Sequence, residues 1–167
     1  MILIKNIAKL ACLLIFLTVV GCNTSSEKNI LSLAEKSLIN SEKFLQENSK
    51  QPGITQTSSG LQYKKLKNGT GCHPNPNAPV TVHYESRLLS NNIPFDSSYL
   101  RNQAATYDLK RMILAWEEGI PLMQEGDIFE FYVHPNLAYG EKGALPVIQP
   151  NVITIYKVEL IKAHLCQ

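Results

Sequence analysis

The sequence lacks the motifs that usually mark catalysis by a nucleophile, a nucleotide or a metal. It contains no G-x-S-x-G elbow, no P-loop and no dinucleotide-binding glycine pattern. Its four histidines, His73, His83, His134 and His164, show no paired spacing, and Cys72-His73 has no second pair of ligands. We therefore predict no metal site and no cofactor, and we interpret the histidines as structural or solvent-facing.

An excess of charge of one sign is also missing. The chain has 16 Lys and Arg against 14 Asp and Glu. Lys5 and Lys9 lie in an N-terminal leader, whose removal leaves 14 basic and 14 acidic side chains. Because the basic residues form no stripe along the chain, we predict no binding to nucleic acid.

Long hydrophobic runs are absent except at residues 10–20, and that run is too short to span a bilayer comfortably. Two lysines precede it, as in a secretory signal. The residues that end it, VVGC, resemble a bacterial lipobox, in which the cysteine is lipidated. We predict that residues 1–21 are a lipoprotein signal peptide and that Cys22 carries the lipid. The protein would then lie in the cell envelope, anchored to the membrane on the outer-membrane or periplasmic face or at the cell surface; the alternative is an uncleaved membrane anchor.

Only four cysteines are present, and two of them are accounted for by the leader. Cys12 lies within the signal peptide and Cys22 is the lipidation site, which leaves Cys72 and Cys166. Outside the cytoplasm two such cysteines can pair, and closing this loop would stabilise the fold by about 4–5 kcal/mol. Because the sequence does not place the two Cα atoms, a disulfide and two free thiols both stay open.

Residues 27–48 contain neither glycine nor proline, and they predict one helix. Three leucines recur every seven residues between positions 31 and 45, which makes a narrow apolar stripe. Ser41 interrupts this stripe, and the remaining heptads are too few for a stable coiled coil. We therefore predict a solvated stalk, in a monomer or weak dimer, followed by a Ser/Thr/Gln-rich linker at residues 51–59.

After Gly60 the pattern changes to short strands separated by turns. Val80, Val82 and Tyr84 alternate with polar residues, as in a half-buried strand. The strands are predicted at residues 61–66, 80–89, 95–96, 106–109, 128–133 and 152–161. Together with one short helix they indicate an α+β domain built on an antiparallel sheet.

The short helix is predicted at residues 113–123, and it carries Trp116, the only tryptophan. The apolar residues of this segment recur at helical spacing, so they share one face that can dock on the sheet. Pro121 lacks a backbone donor, and we expect the helix to tighten or end near Gly119. From the pattern alone this is a core helix; aromatic residues elsewhere in the chain indicate a shallow pocket above Trp116.

Six sequence runs, taken in order, resemble the FKBP family of peptidyl-prolyl isomerases. They are VHYESRLL (82–89), FDSSYLR (95–101), ATYDL (105–109), AWEEG (115–119), LAYG (137–140) and VELI (158–161). The runs FLQENSKQPG and SGLQYK further resemble the stalk joint of envelope members of this family, the Mip and FkpA type. The resemblance implies an FKBP-like antiparallel β half-barrel wrapped around one short α-helix and preceded by a single stalk helix. Residues 22–58 would be the lipidated N-terminus, stalk and linker, and residues 59–167 the isomerase domain.

The resemblance also implies a set of site residues. Asp96 and Tyr139 would act in catalysis, and the substrate would be bound by Tyr84, Phe95, Arg101, Tyr107, Met112, Ile113, Trp116, Val147, Ile148 and Tyr156. Asp96 could instead form only a structural ion pair with Arg101, and Tyr139 could simply cap the core. Some positions depart from the family pattern: Ala115 and Ser86 stand in place of glycine, Tyr107 and Tyr156 in place of phenylalanine, and Gln149 in place of proline.

The activity implied is peptidyl-prolyl cis-trans isomerisation that assists protein folding in the cell envelope. Its partners would be unfolded or extracytoplasmic polypeptides that contain proline, and FK506-like macrolides are ligands implied for the same pocket. Two other functions stay open: a chaperone-like clamp on the same fold with little turnover, and a host-interaction lipoprotein that uses the same pocket.

Overall fold

A computed structural model of the protein describes the backbone of residues 24–167 and the side chains from Ser32 onward. The predicted signal peptide and the lipidation site Cys22 lie outside these residues. The chain divides into two units after Leu33, and the sheet lies wholly in the second unit, Ala34–Gln167. Among the described residues, no helix combines the length and apolarity that crossing a membrane requires.

In the described part of the chain, seven strands form one antiparallel sheet, and two α-helices accompany it. In chain order the elements are α1 (Thr24–Asn48), β1 (Ile54–Gln56), β2 (Gln62–Lys67), β3 (Pro79–Leu88), β4 (Pro94–Ser97), β5 (Ala105–Asp108), α2 (Leu114–Gly119), β6 (Ile128–Val133) and β7 (Thr154–Ala163). The strand order is β1-β2-β6-β7-β3-β4, and β5 pairs with the other end of β3. This architecture confirms the predicted FKBP-like fold.

One face of the sheet carries the core. On β3 the buried residues alternate along the strand, as the sequence predicts, and the same holds for Phe129, Phe131 and Val133 of β6. Helix α2 packs against this face at Gly119, where a Cβ atom would lie 2.6 Å from the ring of Phe131. Glycine is required there because any larger residue would push the helix, and with it Trp116, away from the sheet.

Helix α2 ends where the sequence predicts. It is followed at once by a 3₁₀ turn at Ile120–Leu122, which contains Pro121. Proline removes one helical hydrogen bond, and the tighter turn accommodates that loss. Trp116 and Ile120 stay on the buried face, with 2% and 0% of their surface exposed.

The predicted solvated stalk is wrong for residues 34–48 of α1, which pack on the domain. Leu45 is buried against Ile153 and Ile155 of the outer face of the sheet. Ser41, which interrupts the leucine stripe, is buried as well, and its hydroxyl donates to the backbone oxygen of Asn151 at 2.9 Å. At Ser41 and Leu45 this side of α1 therefore covers the sheet, because a serine with a hydrogen-bond partner can be buried at little cost.

The predicted linker also contains an element that the sequence analysis missed, strand β1, which pairs with β2. The buried side chain of Gln62 joins this hairpin to α1. Its amide nitrogen donates to the backbone oxygen of Leu45 at 2.8 Å and to Gln56 Oε1 at 2.9 Å, and its oxygen accepts from Asn48 Nδ2 at 2.8 Å. A strand with only one apolar residue gives too weak a periodic signal to be predicted.

Cys72 and Cys166 form a disulfide, with Cα atoms 5.7 Å apart, which answers the question left open by the sequence. The bond holds the C-terminal tail beside the segment that leads into β3. Backbone contacts reinforce it, since Asn75 donates to the oxygen of Leu165 at 2.8 Å. The tail is thereby joined to a segment 94 residues earlier in the chain.

A largely buried ion pair lies on the outer face of the sheet. Arg87 donates to Glu130 at 2.9 Å, and Tyr132 donates to the other carboxylate oxygen at 2.5 Å. Burial alone would raise the pKa of Glu130, but these two hydrogen bonds and the charge of Arg87 outweigh it, so the pKa lies below its ordinary value. Glu130 therefore stabilises the folded state when it is ionised.

We expect this carboxylate to make stability fall in acid. A depressed folded-state pKa contributes stability above the unfolded value of about 4.3 and loses it as pH falls through the folded-state pKa. The free energy of unfolding, measured by urea titration between pH 6 and pH 2, should fall less steeply in Glu130→Gln than in the wild type. Equal slopes in the two proteins would contradict this role for Glu130. The control is Glu47→Gln, at an exposed position of α1.

Candidate functional site

A cavity of about 90 Å³ lies above Trp116 on the core side of the sheet. Nine residues of its lining belong to the set implied by the resemblance, and the tenth is Ser86. The nine are Tyr84, Phe95, Asp96, Tyr107, Met112, Ile113, Trp116, Tyr139 and Tyr156. They come from β3, β4, β5, the start of α2, the loop after β6, and β7, so only the folded sheet brings them together.

The floor of the cavity is aromatic. The indole ring of Trp116 meets three tyrosine rings edge-on, with centroid distances of 5.3 Å to Tyr84, 5.6 Å to Tyr107 and 5.8 Å to Tyr156. Edge-to-face contacts are favourable because the positive edge of one ring faces the negative face of the other. The arrangement fixes the indole and gives a rigid apolar surface that a small ring could cover.

One side of the cavity carries a charged network centred on Tyr84. Its hydroxyl donates to Asp96 Oδ2 at 2.6 Å and accepts from Arg101 Nη2 at 2.8 Å and from the Tyr107 hydroxyl at 3.0 Å. A phenol has one proton and two lone pairs, so this hydroxyl uses its full capacity. Arg101 also pairs directly with Asp96 Oδ1, and the carboxylate is therefore held in one orientation.

The network keeps the carboxylate ionised. Burial would raise the pKa of Asp96, but the hydrogen bonds from Tyr84 and Arg101 outweigh it, so its pKa lies below the ordinary value. Burial and the hydrogen bond to Asp96 raise the pKa of Tyr84, which therefore keeps its proton. At neutral pH the carboxylate of Asp96 places one negative charge at the side of the cavity. Arg101, which does not line the cavity, pairs with this charge.

Three residues of the implied set do not line the cavity. Arg101 acts on it only through Asp96 and Tyr84. Val147 and Ile148 lie in a turn in which Ala144 and Ile148 exchange backbone hydrogen bonds of 2.8 and 2.9 Å. This turn leaves Val147 52% exposed and buries Ile148. Neither residue lines the cavity itself, and their role in binding substrate stays a prediction.

The sequence analysis noted Ser86 but did not assign it to the site. The alternation that places Val80, Val82 and Tyr84 inward also places Ser86 inward, two residues further along β3. Its pairing partners are Asp96 on β4 and Tyr156 on β7, and both of these line the cavity. The strand period was therefore a sufficient signal for including Ser86.

A second and larger cavity, of about 490 Å³, lies between α1, the β1–β2 hairpin and residues 134–137. Amide and hydroxyl side chains such as Gln46, Ser49 and Gln56 dominate its lining. None of the predicted site residues lies there, so the predicted site coincides with the smaller of these two cavities. Within the described part of the chain, no three His, Cys, Asp or Glu residues are grouped so that they could hold a metal.

Two family patterns match the chain. Residues 71–161 match the family described as FKBP-type peptidyl-prolyl cis-trans isomerase. Residues 18–64 match the domain amino terminal to FKBP-type peptidyl-prolyl isomerase. The first match contains every residue of the cavity lining.

Several curated relatives are similar over most of the chain. Peptidyl-prolyl cis-trans isomerase Mip of Coxiella burnetii is 50% identical over 118 residues, which are 71% of this chain and 51% of that protein. FKBP-type peptidyl-prolyl cis-trans isomerase FkpA of Aeromonas hydrophila is 42% identical over 120 residues, 72% of this chain and 44% of that one. The protein named outer membrane protein MIP of Legionella longbeachae is 37% identical over 128 residues, 77% of this chain and 54% of that one. The chain thus spans about half the length of the curated relatives it matches.

Solved structures are similar as well. FkpA from Escherichia coli matches with a TM-score of 0.77 and 28% identity, over 83% of this chain and 64% of that one. A peptidyl-prolyl cis-trans isomerase from Pseudomonas syringae matches with a TM-score of 0.72 and 28% identity, over 77% of this chain and 94% of that one.

Proposed function

Because the chain belongs to the FKBP-type peptidyl-prolyl cis-trans isomerase family, we propose that it isomerises the peptide bond before proline in polypeptides. The observation that supports this most is that nine of the twelve site residues implied by the sequence line one cavity above Trp116. The chemistry needs no nucleophile and no metal, and it needs an apolar surface that fits a proline ring.

The barrier to be lowered is the twisting of a planar amide, which costs about 18–20 kcal/mol in water. A twisted amide has lost its conjugation, so its carbonyl oxygen carries less negative charge than that of the planar form. A dry aromatic surface therefore favours the twisted form over either planar isomer. Trp116, Phe95 and Tyr107 would hold the proline ring, with Ile113 and Tyr156 beside it.

Polar groups at the rim would orient the peptide. Tyr139 lines the cavity from the loop after β6, and its hydroxyl would donate to a substrate carbonyl. The backbone N–H of Ile113 would bind the residue beyond proline. Asp96 would lie near the twisting carbonyl, and its ion pair with Arg101 supports this role, since the pair holds the carboxylate in one orientation.

We further propose that the protein works in the cell envelope, with residues 1–21 as a signal peptide and Cys22 as the lipidated residue. The apolar run at residues 10–20 and the sequence VVGC support this, as does the relative named outer membrane protein MIP. Residues 59–167 would be the isomerase domain, and the substrates would be proline-containing extracytoplasmic chains.

The test is a protease-free isomerisation assay on a short X-Pro peptide. The wild type should accelerate the exchange, and an Asp96→Val, Tyr139→Phe double variant should lose at least about tenfold in kcat/KM, because two hydrogen-bonding groups are removed. Tyr132→Phe, on the opposite face of the sheet, is a matched control that should keep full activity.

Equal and near-background rates for the wild type and the double variant would contradict the isomerase function. If the same proteins still suppressed the aggregation of an unfolded client, the chaperone-like clamp would replace it.

A further inference from the structure

Three polar groups among the cavity-lining residues have no hydrogen-bond partner within the described structure. The indole nitrogen of Trp116 and the hydroxyl of Tyr156 are buried and unpaired. The side chain of Ser86 also lines the cavity, and its hydroxyl makes no hydrogen bond within the described residues. Buried polar groups are nearly always paired in folded proteins, so the unpaired indole nitrogen and phenol hydroxyl beside one cavity require an explanation.

The sheet register places Ser86 beside Tyr156 on the face that lines the cavity. Ser86 pairs directly with Tyr156 on one side and with Asp96 on the other. Tyr156, Ser86 and Asp96 therefore form one row across β7, β3 and β4. Residues directly opposite in such a row have Cβ atoms about 4.5–5.5 Å apart. The ring of Trp116 meets the ring of Tyr156 edge-on at 5.8 Å, so the floor of the cavity adjoins this row.

Neighbouring side chains do not satisfy the Tyr156 hydroxyl. Tyr139 and Thr154 lie near enough to influence its pKa, but within the described residues neither makes a hydrogen bond with it of ordinary length and angle. Burial raises the pKa of Tyr156, so the phenol keeps its proton and remains a donor. Tyr156 therefore has a proton to offer to a group that enters the cavity.

The chemistry of the three groups selects the ligand atom. An indole N–H can only donate, and the two hydroxyls can also donate, so the complementary atom is an acceptor such as oxygen. An anionic oxygen is disfavoured, because the carboxylate of Asp96 lies in the same row. A cation is disfavoured because it would face three donors. The group that fits is a neutral oxygen.

We propose that Ser86, Trp116 and Tyr156 form a subsite for a neutral oxygen substituent on the ring bound in the cavity. The isomerase would then prefer a prolyl residue with a ring hydroxyl, such as 4-hydroxyproline, to proline itself. An unsubstituted ring would cover the three donors without satisfying them, whereas a hydroxylated ring would bond to them. This proposal rests on the proposed isomerase function.

The experiment compares matched peptides that contain proline, (4R)-hydroxyproline or (4S)-hydroxyproline, each corrected for its own uncatalysed rate. For the wild type, kcat/KM should be about three- to tenfold higher for one hydroxyproline epimer than for proline, which is the value of about one hydrogen bond. Ser86→Ala and Tyr156→Phe should each bring this ratio towards one. The ratio cancels any general loss of activity that the substitutions cause.

Tyr132→Phe is the matched control, because it removes a phenol hydroxyl from the neighbouring strand on the opposite face of the sheet. It should leave the ratio as in the wild type. Two results would overturn the subsite while the isomerase function stands, provided that the proline peptide is accelerated. One is a ratio of one or less for both epimers, and the other is a ratio that Ser86→Ala and Tyr156→Phe do not change.

Binding gives a readout that is independent of turnover. The fluorescence of Trp116, the only tryptophan, should respond to the preferred hydroxyproline peptide at a lower concentration than to the proline peptide. If no peptide is isomerised but this difference in affinity is present and Tyr156→Phe abolishes it, the isomerase function fails and the subsite stands. Equal affinities would overturn the subsite.

Discussion

Replacement of Trp116 by alanine should lower the free energy of unfolding by about 3–5 kcal/mol and remove most isomerase activity. The indole is 2% exposed and packs against three tyrosine rings, so its loss leaves a hole in the core and removes the floor of the cavity. Unfolding has to be followed by circular dichroism, because the variant contains no tryptophan.

A Trp116→Phe variant separates packing from the specific role of the floor. Phenylalanine keeps an aromatic surface, so we expect the variant to be destabilised less and to keep measurable activity on a proline peptide. It also lacks the indole N–H, so its preference for hydroxyproline should fall. A folded Trp116→Ala protein with undiminished kcat/KM would show that the substrate binds elsewhere.

The second large effect is expected from the disulfide. Replacing both Cys72 and Cys166 by serine should lower the free energy of unfolding by about 4–5 kcal/mol, since the bond closes a long loop and restricts the unfolded chain. Neither cysteine lines the cavity, so the kcat/KM of the folded fraction should stay near that of the wild type.

Three urea titrations test this expectation: the oxidised wild type, the wild type with reductant, and the double serine variant. The second and third should coincide, and both should unfold at a lower urea concentration than the first. If reductant leaves the wild-type midpoint unchanged, the bond does not contribute to stability in solution.

Much of the fold could be predicted because its strongest signals are local. The strand bounds at Ile128–Val133 agree with the prediction, since large apolar residues alternate with polar ones over the whole strand. The end of α2 was predictable from a single proline, whose missing donor acts within one turn. The site residues on β3, β4 and β5 followed from a resemblance carried by short runs in a fixed order.

The features that were not predicted depend on contacts between distant parts of the chain. Ser41 interrupts a leucine stripe in the sequence, and only its bond to Asn151 shows that Ser41 is buried together with Leu45. Val147 and Ile148 are adjacent apolar residues, and the turn that holds them decides which one faces water. Whether Cys72 and Cys166 pair depends on the final Cα positions, which no local pattern contains.

Gln62 has a practical consequence for truncation. A chain shortened to begin at Ser59 would keep the entire cavity lining but lose all three partners of the Gln62 amide. Each unpaired buried group costs about 1–3 kcal/mol, and Ile153 and Ile155 would lose the helix that shields them from water. A fragment meant for crystallisation or ligand screening should therefore begin no later than Ala34, even though the first residue that lines the cavity is Tyr84.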